Sequence, residues 1–284
     1  MKKIFIAGAS GFIGKHILEK LIKSNIIYVS RRDYNKIKKD FINFLNFKCI
    51  KKKDKKISFD FLINCIANTN TQNNNWEELY KDNCLTNLKL LENFNYSCFI
   101  YFSSFSVFSQ NSIKYEKADP INFYGLSKYL SEKIIEKKLT KKKNLIIIRL
   151  PVVIGKSKKQ NDIIHYIYKK LKKNEDVEIF NNGELKRNIV HYEDVVSIIK
   201  QIIDKNPFRK KFNIFHINSS NLLAIKKISE YMKLKMKSRS KIIIKKKRIL
   251  NSFNSKIINN SQMIKNYKQK SVQKHLDVFL EEFL

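Results

Sequence analysis

Residue types that together can move a proton stand at two places in the middle of the sequence. Ser104 follows an apolar run, and Tyr124 and Lys128 open a helical stretch shortly after it. Residues four apart share a helix face, so we expect the Lys128 ammonium to lower the pKa of the Tyr124 phenol from its usual value near ~10. Such a tyrosine exchanges a proton with an alcohol or carbonyl oxygen, which a nearby serine can hold. Ser104, Tyr124 and Lys128 are therefore the candidate catalytic residues.

Glycines recur at every third position near the start of the chain. Gly8, Gly11 and Gly14 end an apolar run and open a helical stretch. Such glycines permit a tight turn and a close approach of a diphosphate to the free N–H groups of the helix. The chain has only 6 glycines, so three in one segment favour a dinucleotide site over an ordinary turn. The predicted cofactor-binding residues of this segment are Gly8, Ser10, Gly11, Phe12, Ile13 and Gly14.

The end of the second predicted strand bears on which dinucleotide is bound. A carboxylate there would bind the adenosine ribose of NAD, but this sequence has Ser30 followed by Arg31 and Arg32. Two arginines suit the 2′-phosphate of NADP. Asp33 would serve the ribose if the loop shifted by a few residues. The sequence therefore favours NADP as cofactor, with NAD as the alternative.

Strand-length apolar runs alternate with helical patterns up to about residue 150. The predicted strands are Lys3–Ala7, Ile26–Ser30, Phe47–Ile50, Phe61–Ala67, Cys98–Phe102 and Leu145–Leu150. The predicted helices are Phe12–Lys23, Tyr34–Leu45, Asn75–Phe94 and Phe123–Lys138. Continuous apolar strands are typical of sheets covered on both faces. The pattern predicts an α/β fold with a Rossmann-type, doubly wound parallel sheet.

The alternation of strand-length apolar runs and helical patterns becomes less regular after Pro151. We expect residues 1–155 to form an NAD(P)-binding Rossmann domain and residues 156–284 to form mostly a smaller C-terminal substrate-binding lobe. Segments near 188–218, with a predicted helix and strand, are expected to return to the sheet.

Charge and composition narrow the class of protein. The chain carries 58 basic and 25 acidic residues, a net charge of +33. The basic residues are nearly all lysines spread along the chain, which favours a solvated surface over a nucleic-acid footprint. No apolar stretch reaches the ~20 residues of a membrane helix, and a cytoplasmic location is expected. The four cysteines stand far apart, which argues against a zinc site and a disulfide framework.

With these motifs the chain resembles an extended-type short-chain dehydrogenase/reductase of the NAD-dependent epimerase/dehydratase group, which acts on nucleotide sugars. The segments that carry the resemblance are Gly8–Gly14, Asp60–Ala67, Asn83–Glu92, Tyr124–Lys128, Ile148–Gly155 and Gly183–Val196. The resemblance implies that Tyr124 donates the proton, that Ser104 holds the reacting oxygen, and that Lys128 binds the cofactor ribose and tunes Tyr124.

The resemblance implies further contacts and an assembly. Further cofactor contacts would come from Ala67, Asn83, Tyr124, Lys128, Pro151 and Val153. Substrate contacts would come from Ser104, Ser106 and Arg187, with Arg187 holding the diphosphate of a nucleotide sugar. It also implies a homodimer.

The sequence departs from the family pattern in ways that narrow the reaction. Ser104 is followed by Phe105 and Ser106 instead of the Asp-Glu pair of 4,6-dehydratases, and Ile154 replaces an aromatic residue before Gly155. We therefore predict an NADP-dependent reductase of the keto group of a nucleotide-linked 4-keto-6-deoxy sugar. The alternatives are a nucleotide-sugar 4-epimerase with tightly bound NAD and, from another class, a non-catalytic dinucleotide-binding protein that associates with RNA.

Overall fold

A seven-stranded parallel sheet forms the centre of the protein. The computed structural model describes residues 1–51, 56–70, 75–109, 117–138, 143–157, 162–205, 211–246 and 267–284. The strands of the sheet are β1 (Lys3–Ala7), β2 (Ile26–Val29), β3 (Phe47–Cys49), β4 (Ser58–Asn64), β5 (Asn95–Ser104), β6 (Asn144–Leu150) and β11 (Phe212–His216). Their order is β11-β6-β5-β4-β1-β2-β3, and every neighbouring pair is parallel. The predicted doubly wound α/β fold is confirmed.

The helices and the shorter strands complete the described chain. The helices are α1 (Phe12–Leu21), α2 (Arg31–Phe41), α3 (Trp76–Leu79), α4 (Thr86–Asn93), α5 (Phe123–Lys138), α6 (Ile163–Lys172), α7 (Tyr192–Lys205), α8 (Ile225–Met236) and α9 (Val272–Glu281). The shorter strands are β7 (Val152–Ile154), β8 (Val177–Ile179), β9 (Lys186–Arg187), β10 (Ile189–His191), β12 (Leu223–Ala224) and β13 (Ile242–Ile244). A π-helical stretch, Tyr80–Leu85, joins α3 to α4.

Alternation along the strands sends side chains into two cores, one on each face of the sheet. In β1, Ile4 and Ile6 belong to one buried cluster, whereas Phe5 and Ala7 belong to the other. Successive side chains of a strand point to opposite faces, so a strand that is covered on both sides must be apolar throughout. This is the physical reason for the continuous apolar runs of the sequence.

The strand order places a crevice between β1 and β4. From β1 the sheet continues outwards through β2 and β3, and from β4 it continues through β5 and β6. Where the order reverses, the loops at the carboxyl ends of the two strands diverge and leave room for a ligand. The glycine-rich loop follows β1, and the loop of residues 65–70 follows β4.

The part of the chain after β6 contributes both to the sheet and to a second core. The strand β11 pairs with β6 at the edge of the sheet, and α7 packs beside α1. Buried residues from α6, α8 and α9 form a separate cluster together with those of β8. The chain therefore returns to the sheet through α7 and β11.

The boundaries of one helix differ from the prediction in a way that concerns the site. The helix α2 begins at Arg31 instead of Tyr34, because the Ser30 side chain accepts a hydrogen bond from the Asp33 N–H and caps the helix. The Asn75 side chain caps α3 in the same manner.

Most of the lysine-rich run at 51–56 lies outside the described residues. Within the described part of the chain, none of the helices has the length and apolar character that crossing a membrane requires.

Candidate active site

The glycine-rich loop is shaped by close backbone contacts. Gly8 has a φ of +78°, and a Cβ atom built on it would lie 2.9 Å from the carbonyl carbon of Cys65. A Cβ atom on Gly14 would lie 2.2 Å from the carbonyl oxygen of Gly8. The Gly11 N–H donates to that same oxygen at 3.0 Å. Gly8 and Gly14 are therefore required by geometry, whereas Gly11 lies in an ordinary extended conformation with φ −78°.

The start of α1 offers backbone donors to an anion. Gly11 is the N-cap and has no side chain to cap the helix, and the first turn contains no acidic residue. The first N–H groups of a helix have no partner within the helix, and they carry the positive end of its dipole. The N–H groups of Phe12, Ile13 and Gly14 stand at this end, beside a loop in which Gly8 and Gly11 carry no Cβ atom. These residues fit the diphosphate of a dinucleotide.

The Asp33 carboxylate lies beneath the glycine-rich loop. It accepts hydrogen bonds from the N–H groups of Gly8 and Ser10, both at 3.1 Å, and from the Ser10 hydroxyl at 2.6 Å. The Ser30 hydroxyl donates to it at 2.7 Å. The side chain is 5% exposed. Arg31 and Arg32 are exposed on the first turn of the same helix.

The Tyr124 phenol meets Ser104 because α5 packs directly against the end of β5. A Cβ atom on Gly125 would lie 2.0 Å from the Ser106 carbonyl oxygen, so only glycine allows this approach. The Ser106 N–H donates to the Ser104 hydroxyl oxygen at 3.1 Å, which fixes the loop. The predicted candidates Ser104 and Tyr124 are thus brought together.

The pKa of Tyr124 shifts in the direction opposite to our expectation. Burial raises it, and a hydrogen bond with Ser104 offsets only part of that rise. The phenol is 8% exposed, and removing it from water disfavours the tyrosinate. The prediction that Lys128 lowers the pKa of Tyr124 is wrong for the chain on its own.

Lys128 is buried rather than held as a solvated ammonium. Its Nζ lies 4.4 Å from the centre of the Tyr101 ring. Burial lowers the pKa of Lys128 to about 7, against a smaller opposing effect of Glu132. Near neutral pH this lysine is therefore only partly charged, which explains why it does not supply the fixed positive charge that we expected beside Tyr124.

A buried ion pair fixes α5 against β6 one turn beyond Lys128. Arg149 Nε and Nη2 donate to the two carboxylate oxygens of Glu132 at 2.9 and 2.7 Å. Both side chains are almost wholly buried, and the guanidinium carbon lies 4.9 Å from the centre of the Phe108 ring. A bidentate pair of this kind sets the rotation of the helix as well as its position.

Asn83 joins the loop after β4 to α5. Its side-chain oxygen accepts from the Asn68 N–H at 2.8 Å, and its Nδ2 donates to the Asn68 carbonyl at 3.1 Å and to the Ser127 hydroxyl at 2.9 Å. The side chain is 2% exposed. These contacts position the loop that borders the crevice, and a direct contact of Asn83 with the cofactor remains a prediction.

The other predicted contacts lie along the edges of this region. Ala67 is in the loop after β4, Pro151 separates β6 from β7, and Val153 lies in β7, all three partly buried. Arg187 lies on β9 beside β12, where it donates to the Lys186 carbonyl at 3.2 Å and where burial lowers its pKa. Its role with a diphosphate remains a prediction.

The sequence reasoning missed residues that surround the predicted ones. Glu132 can be found from the sequence, because it follows Lys128 by one helical turn and so shares its face of the helix. Nothing in the sequence singles out Tyr101, since an aromatic residue in an apolar strand is an ordinary core residue. The sequence presents Asp33 only as a candidate ribose ligand, whereas its carboxylate accepts hydrogen bonds from the loop itself.

A glycine loop at the switch point of a parallel sheet, with a serine, a tyrosine and a lysine beside the neighbouring strands, defines a dinucleotide-dependent enzyme of the short-chain dehydrogenase/reductase class. Residues 4–217 match the model of the NAD dependent epimerase/dehydratase family. The chain belongs to this family, as the sequence motifs predicted.

Known relatives agree with this assignment. The chain is 28% identical over 254 residues to CDP-abequose synthase of Salmonella muenchen. This match covers 85% of this chain and 83% of the relative. It is 30% identical over 216 residues to a putative UDP-glucose 4-epimerase of Methanocaldococcus jannaschii. That match covers 68% of this chain and 70% of the relative.

Among solved structures, the fold is similar to the UDP-N-acetylglucosamine 4-epimerase of Methanobrevibacter ruminantium in complex with UDP-N-acetylmuramic acid, with a TM-score of 0.84 and 18% identity over 99% of this chain and 98% of the other. The UDP-glucuronic acid 4-epimerase of Bacillus cereus, in complex with UDP-glucuronic acid and NAD, has a TM-score of 0.79 and 17% identity over the same shares. These likenesses show the fold.

Proposed function

We propose that the chain is an NADP-dependent ketoreductase that reduces the keto group of a nucleotide-linked 4-keto-6-deoxy sugar. Membership of the epimerase/dehydratase family supports a nucleotide sugar as substrate. The name of the Salmonella relative, a CDP-abequose synthase, supports a role in the synthesis of such a sugar.

The observation that carries this proposal is the buried Tyr124 phenol in hydrogen-bond contact with Ser104. Burial raises the pKa of Tyr124, so the phenol keeps its proton at neutral pH. A reductase needs a proton donor at the oxygen of its carbonyl substrate, and the Tyr124 phenol beside Ser104 is placed for that step.

Each residue of the site has a role in this reaction. When bound, the reduced nicotinamide supplies the hydride that the keto carbon accepts. Ser104 holds the carbonyl oxygen, and Tyr124 gives it the proton. Lys128 would bind the cofactor ribose, and Arg187 would bind the diphosphate of the substrate.

Arg31 and Arg32 support NADP as the cofactor. They are exposed on the first turn of α2, where the positive end of the helix dipole makes a cation unfavourable by roughly 0.3–1 kcal/mol. Neither forms a salt bridge with any residue that the structure describes. The 2′-phosphate of NADP would bring negative charge to this place.

The residues after Ser104 argue against a dehydratase. The Phe105 ring is buried 5.7 Å from the His216 ring, and the Ser106 hydroxyl accepts from that of Ser104 at 3.2 Å. Neither position offers a carboxylate for the removal of water from a sugar.

A nucleotide-sugar 4-epimerase is the second candidate. It is favoured by the likeness to 4-epimerases among the solved structures and by the Methanocaldococcus relative. Such an enzyme would oxidise and then reduce the same carbon without net consumption of its cofactor.

The first experiment separates the two candidates. The purified protein is denatured and any released nucleotide is identified, and the emptied protein is then mixed with NADPH and a panel of nucleotide-linked keto sugars. A reductase consumes one NADPH per sugar reduced. Stoichiometric, tightly held NAD and interconversion of sugars without net reduction would identify the epimerase.

The second experiment tests the role of Tyr124 in the reductase. Tyr124→Phe is expected to reduce turnover by roughly 100- to 10,000-fold, while the affinity for NADPH stays within about twofold. Tyr129→Phe removes a hydroxyl group from the same helix and is the control, with turnover close to that of the wild type. Wild-type turnover in Tyr124→Phe would exclude the proposed role.

A further inference from the structure

The turn between α2 and β3 presents two large apolar side chains to solvent. Ile42 is 71% exposed and Leu45 is 96% exposed. The aromatic rings of the same segment point the other way: Phe41 and Phe47 are buried with their ring centres 5.4 Å apart, and Phe44 packs against the same core. Because these rings hold the segment to the core, Ile42 and Leu45 project outwards from a fixed turn.

Two lysines lie beside this apolar pair. Lys38 and Lys39 are exposed in the last turn of α2. They precede Ile42 by four and three residues, so they share its face of the helix. Neither forms a salt bridge with another residue of the described chain. The one acidic residue of this turn, Asp40, is paired with Lys15 at 2.7 Å, so the surface around Ile42 keeps an excess of positive charge.

This surface lies at the amino end of the sheet. Parallel strands require a return connection, so α2 runs back from the carboxyl end of β2 and finishes on the side opposite the crevice. The Asn46 Nδ2 donates to the carbonyl oxygens of Ile22 and Asn25, which brings the exposed Lys23 of the turn after α1 beside the turn after α2. The amino-end patch is defined by Lys23, Lys38, Lys39, Ile42 and Leu45.

We propose that the amino-end patch binds the surface of a membrane that contains anionic lipids. The lysines meet head groups of opposite charge, and Ile42 and Leu45 enter the boundary between head groups and acyl chains. Binding in this orientation leaves the crevice, on the far side of the sheet, open to its ligands. The inference does not rest on the proposed function.

Other occupants fit the amino-end patch less well. A second copy of the chain would bring two bodies of net charge +33 together at basic turns. A nucleic acid would use the lysines, but the aromatic rings on which bases stack point into the core in this segment. Protein interfaces favour aromatic residues and arginine at their centre, and the patch has neither.

The end of α8 offers a similar surface that lacks part of this combination. Leu234 is 76% exposed beside Lys235. However, Lys235 is paired with Asp277 at 3.0 Å, and the neighbouring Met236 packs against the second core. Leu234 is therefore a matched control for Leu45.

The experiment measures how the full-length protein sediments with vesicles of about 30 mol% phosphatidylserine in phosphatidylcholine, or of phosphatidylcholine alone, at about 0.1 M salt. Wild type is expected to bind the anionic vesicles at least about tenfold more tightly. Leu45→Ser should weaken this binding about fivefold or more without a change of charge, whereas Leu234→Ser should stay within about twofold of wild type.

Two further comparisons test the charges and the insertion. Lys38→Gln/Lys39→Gln should weaken binding to anionic vesicles roughly tenfold, and Lys226→Gln/Lys227→Gln, which removes two exposed lysines of α8, should have an effect of at most about threefold. The indole introduced by Leu45→Trp should be quenched by brominated acyl chains in the anionic vesicles. That introduced by Leu234→Trp should not be.

The outcomes separate this inference from the proposed function. Equal binding by wild type and Leu45→Ser would overturn it, since the net charge of the chain alone would then explain the attraction. Absence of wild-type binding to either kind of vesicle would overturn it as well, and RNA binding lost in Lys38→Gln/Lys39→Gln, or dimers lost in Leu45→Ser, would then identify another occupant. Leu45→Ser should reduce a keto sugar with NADPH at the wild-type rate, so a failure of the reductase assignment would leave the vesicle result standing.

Discussion

The two ends of the site are prepared for their ligands in different ways. At the glycine-rich loop, backbone and side-chain groups are hydrogen-bonded to one another within the chain, and Asp33 is the centre of that network. At the reacting end, burial sets the properties of Tyr124 and Lys128, with the pKa of the tyrosine raised and that of the lysine lowered to about 7.

The shape of the glycine-rich loop depends on geometry, whereas the protonation of the reacting end depends on the exclusion of water. The loop owes its shape to distances that leave no room for a Cβ atom. The reacting end owes its protonation state to the exclusion of solvent, and a ligand that brings charge would change that state. Substitutions at the glycine-rich loop should therefore change its shape, and substitutions at the reacting end should change the protonation of Tyr124 and Lys128.

The largest effect on stability is expected at the ion pair that supports the reacting end. Glu132→Gln leaves the Arg149 guanidinium buried without its counter-charge, and we expect a loss of about 3–5 kcal/mol in the free energy of unfolding. Chemical denaturation of wild type and variant measures it. Glu136→Gln breaks an exposed pair with Lys133 on the same helix and should cost at most about 0.5 kcal/mol. Equal losses in the two variants would contradict the importance that we assign to burial.

A smaller loss is expected at the glycine-rich loop. In Gly14→Ala the new Cβ would lie 2.2 Å from the Gly8 carbonyl oxygen, so the backbone must shift, at a cost of about 2–3 kcal/mol. Binding of either dinucleotide should also weaken at least tenfold. Gly11→Ala is the control for stability, because its Cβ would lie 3.2 Å from the same oxygen and should cost less in the free energy of unfolding. Equal losses of stability in the two variants would show that the loop does not depend on the contact at Gly14.

The smallest effect has the opposite sign. Lys128→Met removes a buried amine whose pKa is lowered from 10.5 to about 7, and we expect a gain in the free energy of unfolding at pH 7 together with loss of turnover. Between pH 7 and 10.5 the folded wild type binds fewer protons than the unfolded chain, so its stability rises with pH. The variant should lack this rise. Thermal denaturation across that pH range measures both, and an unchanged slope in the variant would show that another group titrates.

Much of the fold could be predicted from the sequence because the elements follow simple periodic patterns. The strand Lys3–Ala7 and the helix Phe123–Lys138 have the predicted bounds. The strand predicted at Phe61–Ala67 is Ser58–Asn64 instead, since the apolar run continues into the loop that borders the crevice. The two-residue strands β9 and β12 are too short to leave a pattern.

The positions of the catalytic candidates could be predicted, but their protonation could not. The spacing of Tyr124 and Lys128 indicates a shared helix face, and the structure places Tyr124 beside Ser104. A pKa depends on how much water surrounds a group, and that depends on distant residues such as Tyr101, which no local pattern reveals. The same limit applies to Asp33, whose partners lie in another loop.

The π-helical stretch between α3 and α4 makes the site sensitive to the number of residues before it. One extra residue in a turn rotates all that follows by roughly 100° around the helix axis. Asn83 lies within this stretch, and Asn87, one turn on, accepts from Asn64 at the end of β4 at 2.7 Å. Deleting a single residue there would restore a regular helix and turn one of these two asparagines away from its partner, so this connection fixes the number of residues that the chain can have before the site.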